Sequence, residues 1–277
     1  MKKQSIIWMI MAVIMFGCDA GQTVNEKIET RKIAAVSNTS WQRLSEMKIY
    51  FGHQSVGDNI ISGINELMKS YTSIKLNIVK TDNPNDFRQP LFAHSYVGNN
   101  DDPDSKITAF RDSMRKGIGD KADIAFLKFC FWDIRSQTDI KQVFINYKTA
   151  FSELKSQYPK VTFLHFTVPL MSRQNGMKDK IKRMLDMTVE IDLDNIKRNE
   201  LNEMINNEYR DKEPIFDIAA IESTSPGGAR TSFSQDGKKY YVLADDYSRD
   251  GGHLNELGKK VVAEQLLIFL AHLSVKR

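Results

Sequence analysis

From residue 47 onward, short apolar runs alternate with longer amphipathic stretches. "KIYFG" gives way to "NIISGINELMKSY", and "IKLNIVKT" is followed, after a polar interval, by "KITAFRDSMRKGIG". The pattern continues through "ADIAFLKFCF", "QVFINYKTAFSELKSQY", "VTFLHFTVPL", a long helical pattern over 176–210, "PIFDIAAI" and "ELGKKVVAEQLLIFLAHL". Compact runs rich in Val, Ile and Phe predict buried strands, whereas apolar residues at helical spacing predict amphipathic helices. Five strands separated by helices predict an α/β chain, a three-layer α/β/α sandwich around a mainly parallel sheet.

Two connections exceed the length of simple linkers. Residues 81–104 carry two internal prolines and read as one polar loop, and residues 223–252 separate the fifth predicted strand from the last helix. Within the second, "RTSFSQDGKKYYVL" predicts a hairpin turning at Asp236 and Gly237. Loops of this length in a compact domain are usually functional. No internal repeat or low-complexity tract interrupts the pattern.

The first residues change the picture of where the chain resides. "MKKQSIIWMIMAVIMFGCDAG" has two lysines, an apolar stretch short for a membrane span, and small and apolar residues before Cys18. "MFGC" resembles a bacterial lipobox, which implies a signal peptide over 1–17 and acylation of Cys18. A polar tether over 18–40 and a single domain over 41–277 would follow. The expectation is an exported protein, lipid-anchored in a bacterial cell envelope. Loss of Lys2 and Lys3 brings the formal charge of +4 nearer to neutral, which gives no electrostatic case for a nucleic-acid partner. Cys130, in an apolar run, reads as a small core residue without a disulfide partner.

Candidate chemistry lies at both ends of the domain. In "KIYFGHQSVGDNI", Ser55 follows the first strand and precedes its helix, at the sheet edge where ligands bind in open parallel sheets. A serine hydroxyl needs a base to become a nucleophile. In "YSRDGGHLNELG", His253 stands just before the last helix, three residues after Asp250, and a tight turn would let the carboxylate orient the imidazole.

A serine after the first strand and Asp-x-x-His before the last helix resemble the terminal blocks of the SGNH/GDSL hydrolase superfamily. The resemblance implies a flavodoxin-like sheet and a carboxylic ester hydrolase. Ser55 would be its nucleophile, His253 its base and Asp250 the orienting partner. It further implies an oxyanion hole from the amides of Ser55 and Gly98 and an asparagine side chain; Asn99 or Asn100, in the loop beside Gly98, is the candidate replacement for that asparagine. Where the family has Gly-x-Asn-Asp after the third strand, this chain has "KFCFWDI", with no asparagine. The Gln-Ser pair is similar to carbohydrate O-acetylesterase branches, so the implied substrate is an acylated glycan or another small ester. A non-catalytic glycan-binding lipoprotein and a polysaccharide O-acyltransferase are the competing readings.

His53, Gln54, His94 and Trp132 are candidate substrate contacts. His165 reads as an interior group, His272 as superficial, and Asp217 as a loop-bonding residue at the end of the fifth strand. No histidines show helical zinc spacing, and "NNDDPDS" lacks the glycine and terminal glutamate of a calcium loop. No metal or cofactor is expected, and nothing in the chain identifies a protein partner.

Overall fold

A computed structural model describes residues 32–173, 176–185, 187 and 189–276. The predicted signal peptide, Cys18 and most of the tether lie outside the described residues. In chain order the elements are α1 (Asn38–Ser45), β1 (Lys48–His53), α2 (Ser55–Ser70), β2 (Ile78–Lys80), β3 (Leu91–Tyr96), α3 (Pro103–Ser113) and β4 (Ile124–Leu127). They continue as α4 (Ile140–Gln157), β5 (Thr162–Phe163), β6 (His165–Phe166), α5 (Met177–Met184), α6 (Glu190–Tyr209) and β7 (Ile215–Phe216). The last are α7 (Ile218–Ser223), β8 (Ser232–Gln235), β9 (Lys238–Tyr241) and α8 (Glu256–Val275).

The central sheet has five strands in the order β2-β3-β1-β4-β5, every neighbouring pair parallel. The short parallel pair β6-β7 follows it. Side chains alternate between the two faces, so the sequence pattern divides cleanly into two cores. Ile49, Phe51, Ile124 and Phe126 pack with α1, α2 and α8, while Tyr50, Ala125 and Leu127 pack with α3, α4 and α6. This is the three-layer α/β architecture expected from the sequence.

Three expectations need correction. The long polar loop over 81–104 contains a central strand, β3, which pairs with β1 and β2 on either side. Its polar residues hid it: His94 bonds His53, and Ser95 bonds the Tyr50 hydroxyl at 2.8 Å, so neither is buried unsatisfied. The helical region over 176–210 is two helices, α5 and α6. Packing also begins upstream of residue 41, because Ile33 is in the core and Ser37 caps α1. The hairpin β8-β9 does turn at Asp236 and Gly237, both with positive φ.

The two ends of the chain meet through α2 and α8. A side chain at Gly63 would place its Cβ 2.4 Å from the Lys259 carbonyl oxygen, so glycine permits the helices' close approach. At the top of this contact, Asn59 accepts a hydrogen bond from the Leu254 amide at 3.1 Å. Ser55 and His253 are thereby held on adjacent helix starts.

Candidate active site

Ser55 is the first helical residue of α2, directly after β1. His253 follows the tight turn that leads into α8. Its Nε2 lies 3.1 Å from the Ser55 Oγ, across 198 residues of sequence. On the other side of the ring, Nδ1 is 2.7 Å from Asp250 Oδ2. The ionised carboxylate only accepts, so Nδ1 carries the proton and Nε2 presents its lone pair to the serine hydroxyl. The structure thus joins Ser55, His253 and Asp250 in one hydrogen-bonded series.

The turn is built to hold Asp250. Oδ1 accepts the amides of Gly252 at 2.9 Å and His253 at 2.8 Å, and the Ser248 hydroxyl at 3.2 Å. The single Ser248 hydroxyl proton is shared between that carboxylate and the closer His253 carbonyl at 2.8 Å, and its oxygen accepts from the Gly251 amide. Burial alone would push the Asp250 carboxyl up. The Gly252 amide, the His253 ring and the His253 amide outweigh it and hold the group at about 2. Its charge is therefore retained throughout the neutral range.

Behind the imidazole, Phe131 packs edge-on, with ring centroids 5.5 Å apart. Its carbonyl accepts from Arg198 Nε at 2.9 Å, and that guanidinium is completely buried. Trp132, next in the chain, is 41% exposed and lies under Arg135. Of the four residues expected to contact substrate, it is the one whose side chain is open to solvent.

The other three are turned inward. Gln54 donates from Nε2 to the carbonyls of Val97 and Gly98, at 3.0 and 2.9 Å. Rather than facing a substrate, it fastens the β3-α3 loop to the nucleophile's turn. His53 is fully buried and His94 is 6% exposed. The structure does not bring either to the crevice surface, because each satisfies the other inside the fold.

His53 and His94, with Asp58, have the residue types of a metal site, their ligand atoms lying within 4.8 Å of one another. The imidazole geometry describes a hydrogen bond instead. The nitrogens are 2.8 Å apart, the centroids 5.1 Å apart and the planes 19° apart. That centroid separation is the nitrogen distance plus two ring radii, so the rings lie end to end in nearly one plane. A lone pair aimed along an N–H is not aimed at a shared third point, as metal ligands must be. The Gln54 carbonyl accepts from His53 Nδ1 at 2.8 Å, which makes His53 Nε2 the acceptor and His94 Nδ1 the donor. Burial depresses both imidazoles below their ordinary range, consistent with a neutral pair.

Gly98 has φ +56, and a Cβ there would meet the Lys106 amide nitrogen at 2.5 Å. Only glycine fits this bend. Its amide has no hydrogen bond among the described residues. The asparagines beside it are otherwise placed. Asn99 is exposed and its amide donates to Ser105 Oγ, while Asn100 accepts from Lys106 Nζ at 3.0 Å. Neither hydrogen-bonds Ser55 among the described residues.

The unusual "KFCFWDI" segment serves the loop's architecture. Asp133 accepts two bonds from the equally buried Lys106, at 2.7 and 2.6 Å. It also accepts the amides of Cys130 and Asp101. One carboxylate thus joins the loop after β4 to the loop after β3. Lys128 is buried too, and burial lowers it to about 8. Phe131, Arg198, Ser248 and Asn59 complete the surroundings of the triad. In the sequence Phe131 is a candidate for an apolar wall beside the site, whereas Arg198, Ser248 and Asn59 are not anticipated, although Ser248 in "YSRDGGH" has a local signal as a turn-bonding serine.

Nearby, burial raises the Glu222 carboxyl to about 8. Its ordinary value is 4.5, so between about 4.5 and about 8 the folded chain holds a proton that the unfolded chain has released. The contribution of Glu222 to stability therefore falls as pH rises through that window. Thermal melts across this range should show Glu222→Gln flattening the decline. An unchanged pH slope would remove the assignment.

The crevice beside the triad is shallow, about 240 Å³, and is lined by Arg249, Asp250, His253, Leu254, Asn255 and Glu256. A larger cavity of about 600 Å³ lies between β7, α7 and α8 and contains none of the three residues. Size favours the second and chemistry the first. Placement of a nucleophile beside its base decides for the first.

No protein-family model matches the chain, and a search of curated proteins also finds no match. Among solved structures, it is similar to a protein described as a GDSL-like lipase from Parabacteroides merdae. The identity there is 10%, with a TM-score of 0.46, covering 82% of this chain and 96% of that one. It is also similar to an acetyl xylan esterase at 16% identity and a TM-score of 0.44, covering 79% and 98%. A third is the periplasmic domain of a lipopolysaccharide acetyltransferase from Salmonella ser. Paratyphi A, at 13% identity and a TM-score of 0.44, covering 86% and 88%. These are the kinds of protein that the SGNH/GDSL resemblance anticipates. At such identity and overlap they assign no chemistry to this chain.

Proposed function

We propose that this chain is a serine esterase, acting on carboxylic esters and most directly on O-acetyl groups of a glycan. The observation that carries the reading is the series from Ser55 through His253 to Asp250. Ser55 Oγ attacks the ester carbonyl while its proton passes to His253 Nε2. The carbon–oxygen bond to the leaving alcohol breaks, and His253 returns the proton to that alkoxide. Water, deprotonated by the same imidazole, then attacks the acyl-enzyme and releases the acid. Asp250 keeps Nδ1 protonated and stabilises the imidazolium.

The Ser55 amide, at the helix start where backbone N–H groups lack intrahelical acceptors, and the Gly98 amide are the proposed donors to the oxyanion. An open crevice beside the triad, with an exposed tryptophan next in the chain to the Phe131 that packs on His253, suits one unit of a polymer better than an isolated small molecule. Anchoring through Cys18 in the cell envelope is part of the same proposal. Cys18→Ser should move the chain from the membrane to the soluble fraction, and unchanged partitioning would refute the anchor.

Asp250→Asn should lower kcat by about a thousandfold or more, with little change in KM, because the amide no longer fixes the imidazole tautomer. Steady-state assays on p-nitrophenyl acetate check this. The absence of an asparagine from "KFCFWDI", where the hydrolase pattern has Gly-x-Asn-Asp, favours one second reading, a glycan-binding chain without turnover. Incubating the full chain with acetylated xylan separates the two. Released acetate supports the esterase, whereas saturable binding without acetate supports the second reading. Transfer of the acetyl group to an added sugar hydroxyl in preference to water would make the chain an acyltransferase.

A further inference from the structure

The described chain exposes eleven large hydrophobic residues, and five of them fall between 177 and 187. Such concentration is unlike the scattered apolar exposure of ordinary surfaces. Met177, Ile181, Met184 and Leu185 are 79, 50, 84 and 65% exposed. Their spacing of i, i+4, i+7 and i+8 puts them on one face along α5 and its C-cap. Lys178 and Lys180 are also exposed and lie on the two edges of that face. The apolar stripe is thus bordered by cations.

The opposite side is fastened to the domain. Arg183 makes two bonds of 2.8 Å to Asp192, and Arg173 grips the same carboxylate at 2.9 and 2.7 Å. Arg183 also donates to the Arg173 carbonyl. Just before this clamp, the Ser172 amide donates to the Gly251 carbonyl at 2.8 Å, within the turn that carries Asp250 and His253. The helix is therefore tied, through Asp192 and the Arg173 segment, to the turn that carries Asp250, and its apolar face points outward.

We propose that α5 is an interfacial helix that lies on an anionic lipid surface. Met177, Ile181, Met184 and Leu185 enter the boundary between headgroups and acyl chains, and Lys178 and Lys180 meet the lipid charges. The chemistry is that of a peripheral amphipathic helix with apolar residues on one face and basic residues beside them. Eight residues are too few to cross a bilayer, and no helix among the described residues is long and apolar enough to do so. Charge complementarity selects anionic lipid over a second copy of the chain, whose equivalent helix would bring lysines against lysines. Because the clamp that holds α5 follows directly on the Ser172–Gly251 bond to the Asp250 turn, docking would tie that turn to the surface.

The test uses the full chain with Cys18→Ser, which removes the predicted acyl anchor, and an environment-sensitive fluorophore on Met184→Cys. Cys130 is buried and leaves the new thiol as the accessible one. A local reporter is needed because the apolar N-terminal stretch can itself hold the chain on a vesicle. Vesicles of phosphatidylcholine with phosphatidylglycerol should shift the emission to the blue. Pure phosphatidylcholine, or the Lys178→Glu/Lys180→Glu variant, should need at least about tenfold more lipid for the same shift. Raised salt should weaken the response of the unswapped chain, which checks the charge dependence without a folding question. Absence of a shift with anionic vesicles would overturn the proposal. So would an equal shift with neutral vesicles, or a shift that grows with protein concentration when no lipid is present. Ester hydrolysis is not part of the readout, so failure here is separate from failure of the esterase reading.

Discussion

Ser55→Ala is expected to lower kcat for ester hydrolysis by on the order of 10⁴-fold or more while leaving the fold nearly unchanged. The size follows from its position in the series. His253 has its lone pair 3.1 Å from the hydroxyl, and Asp250 fixes the far side of the ring. Removing Oγ leaves the base with nothing to deprotonate except water. The amide donors and the crevice remain, so a small residual rate over water is expected. Ser55 is half-buried and its hydroxyl makes no hydrogen bond except to His253 among the described residues, so the truncation should cost little stability. Initial rates on p-nitrophenyl acetate, with circular dichroism as the folding control, measure both parts. Equal rates for the two proteins would remove Ser55 from the mechanism.

The largest stability effect should come from Lys106→Met, at about 3–5 kcal/mol. Lys106 and Asp133 have no exposed side-chain surface, and their bond is the main compensation for burying two charges. With lysine removed, the carboxylate keeps only the amides of Cys130 and Asp101 and must be buried poorly paired, or else take up a proton. The double variant Lys106→Met/Asp133→Leu should be less damaging than Lys106→Met alone, since replacing both charges leaves neither orphaned. Urea denaturation of the three proteins tests the claim. If the double variant is the least stable, the pair is not the source of the effect. Loss of esterase activity should accompany Lys106→Met even where the chain stays folded, because the bridge joins the Asp101 loop, next to Gly98, to the Phe131 segment behind His253.

The terminal motifs were legible because their chemistry is local. Asp250 and His253 are three residues apart in a turn with two glycines, and Ser55 sits at a strand-to-helix junction that hydrophobic patterning marks clearly. Their meeting depends on the α2-α8 contact, which only the structure shows. Strand β3 was not legible. "LFAHSY" carries polar residues that become acceptable only when Tyr50 and His53 arrive from β1. The same long-range satisfaction explains His53, Gln54 and His94. Their residue types suggested substrate contact, but each finds its partner inside the fold, through atoms no neighbouring residue in the sequence reveals. Lys106, Asp133 and Arg198 are the extreme case. Charged side chains read as solvated in isolation, and only tertiary structure shows that they are buried and bonded. The departure of "KFCFWDI" from the hydrolase pattern was visible in the sequence, whereas its use of Asp133 as an anchor for two loops was not.

Reaction of the full chain with a fluorophosphonate, followed by peptide mass spectrometry, tests the joining of the two chain ends most directly. The phosphonyl adduct should appear on Ser55, and His253→Gln should slow its formation by at least about a hundredfold, because the imidazole activates the hydroxyl. An unmodified Ser55 in a folded chain, or labelling equally fast without His253, would contradict the account.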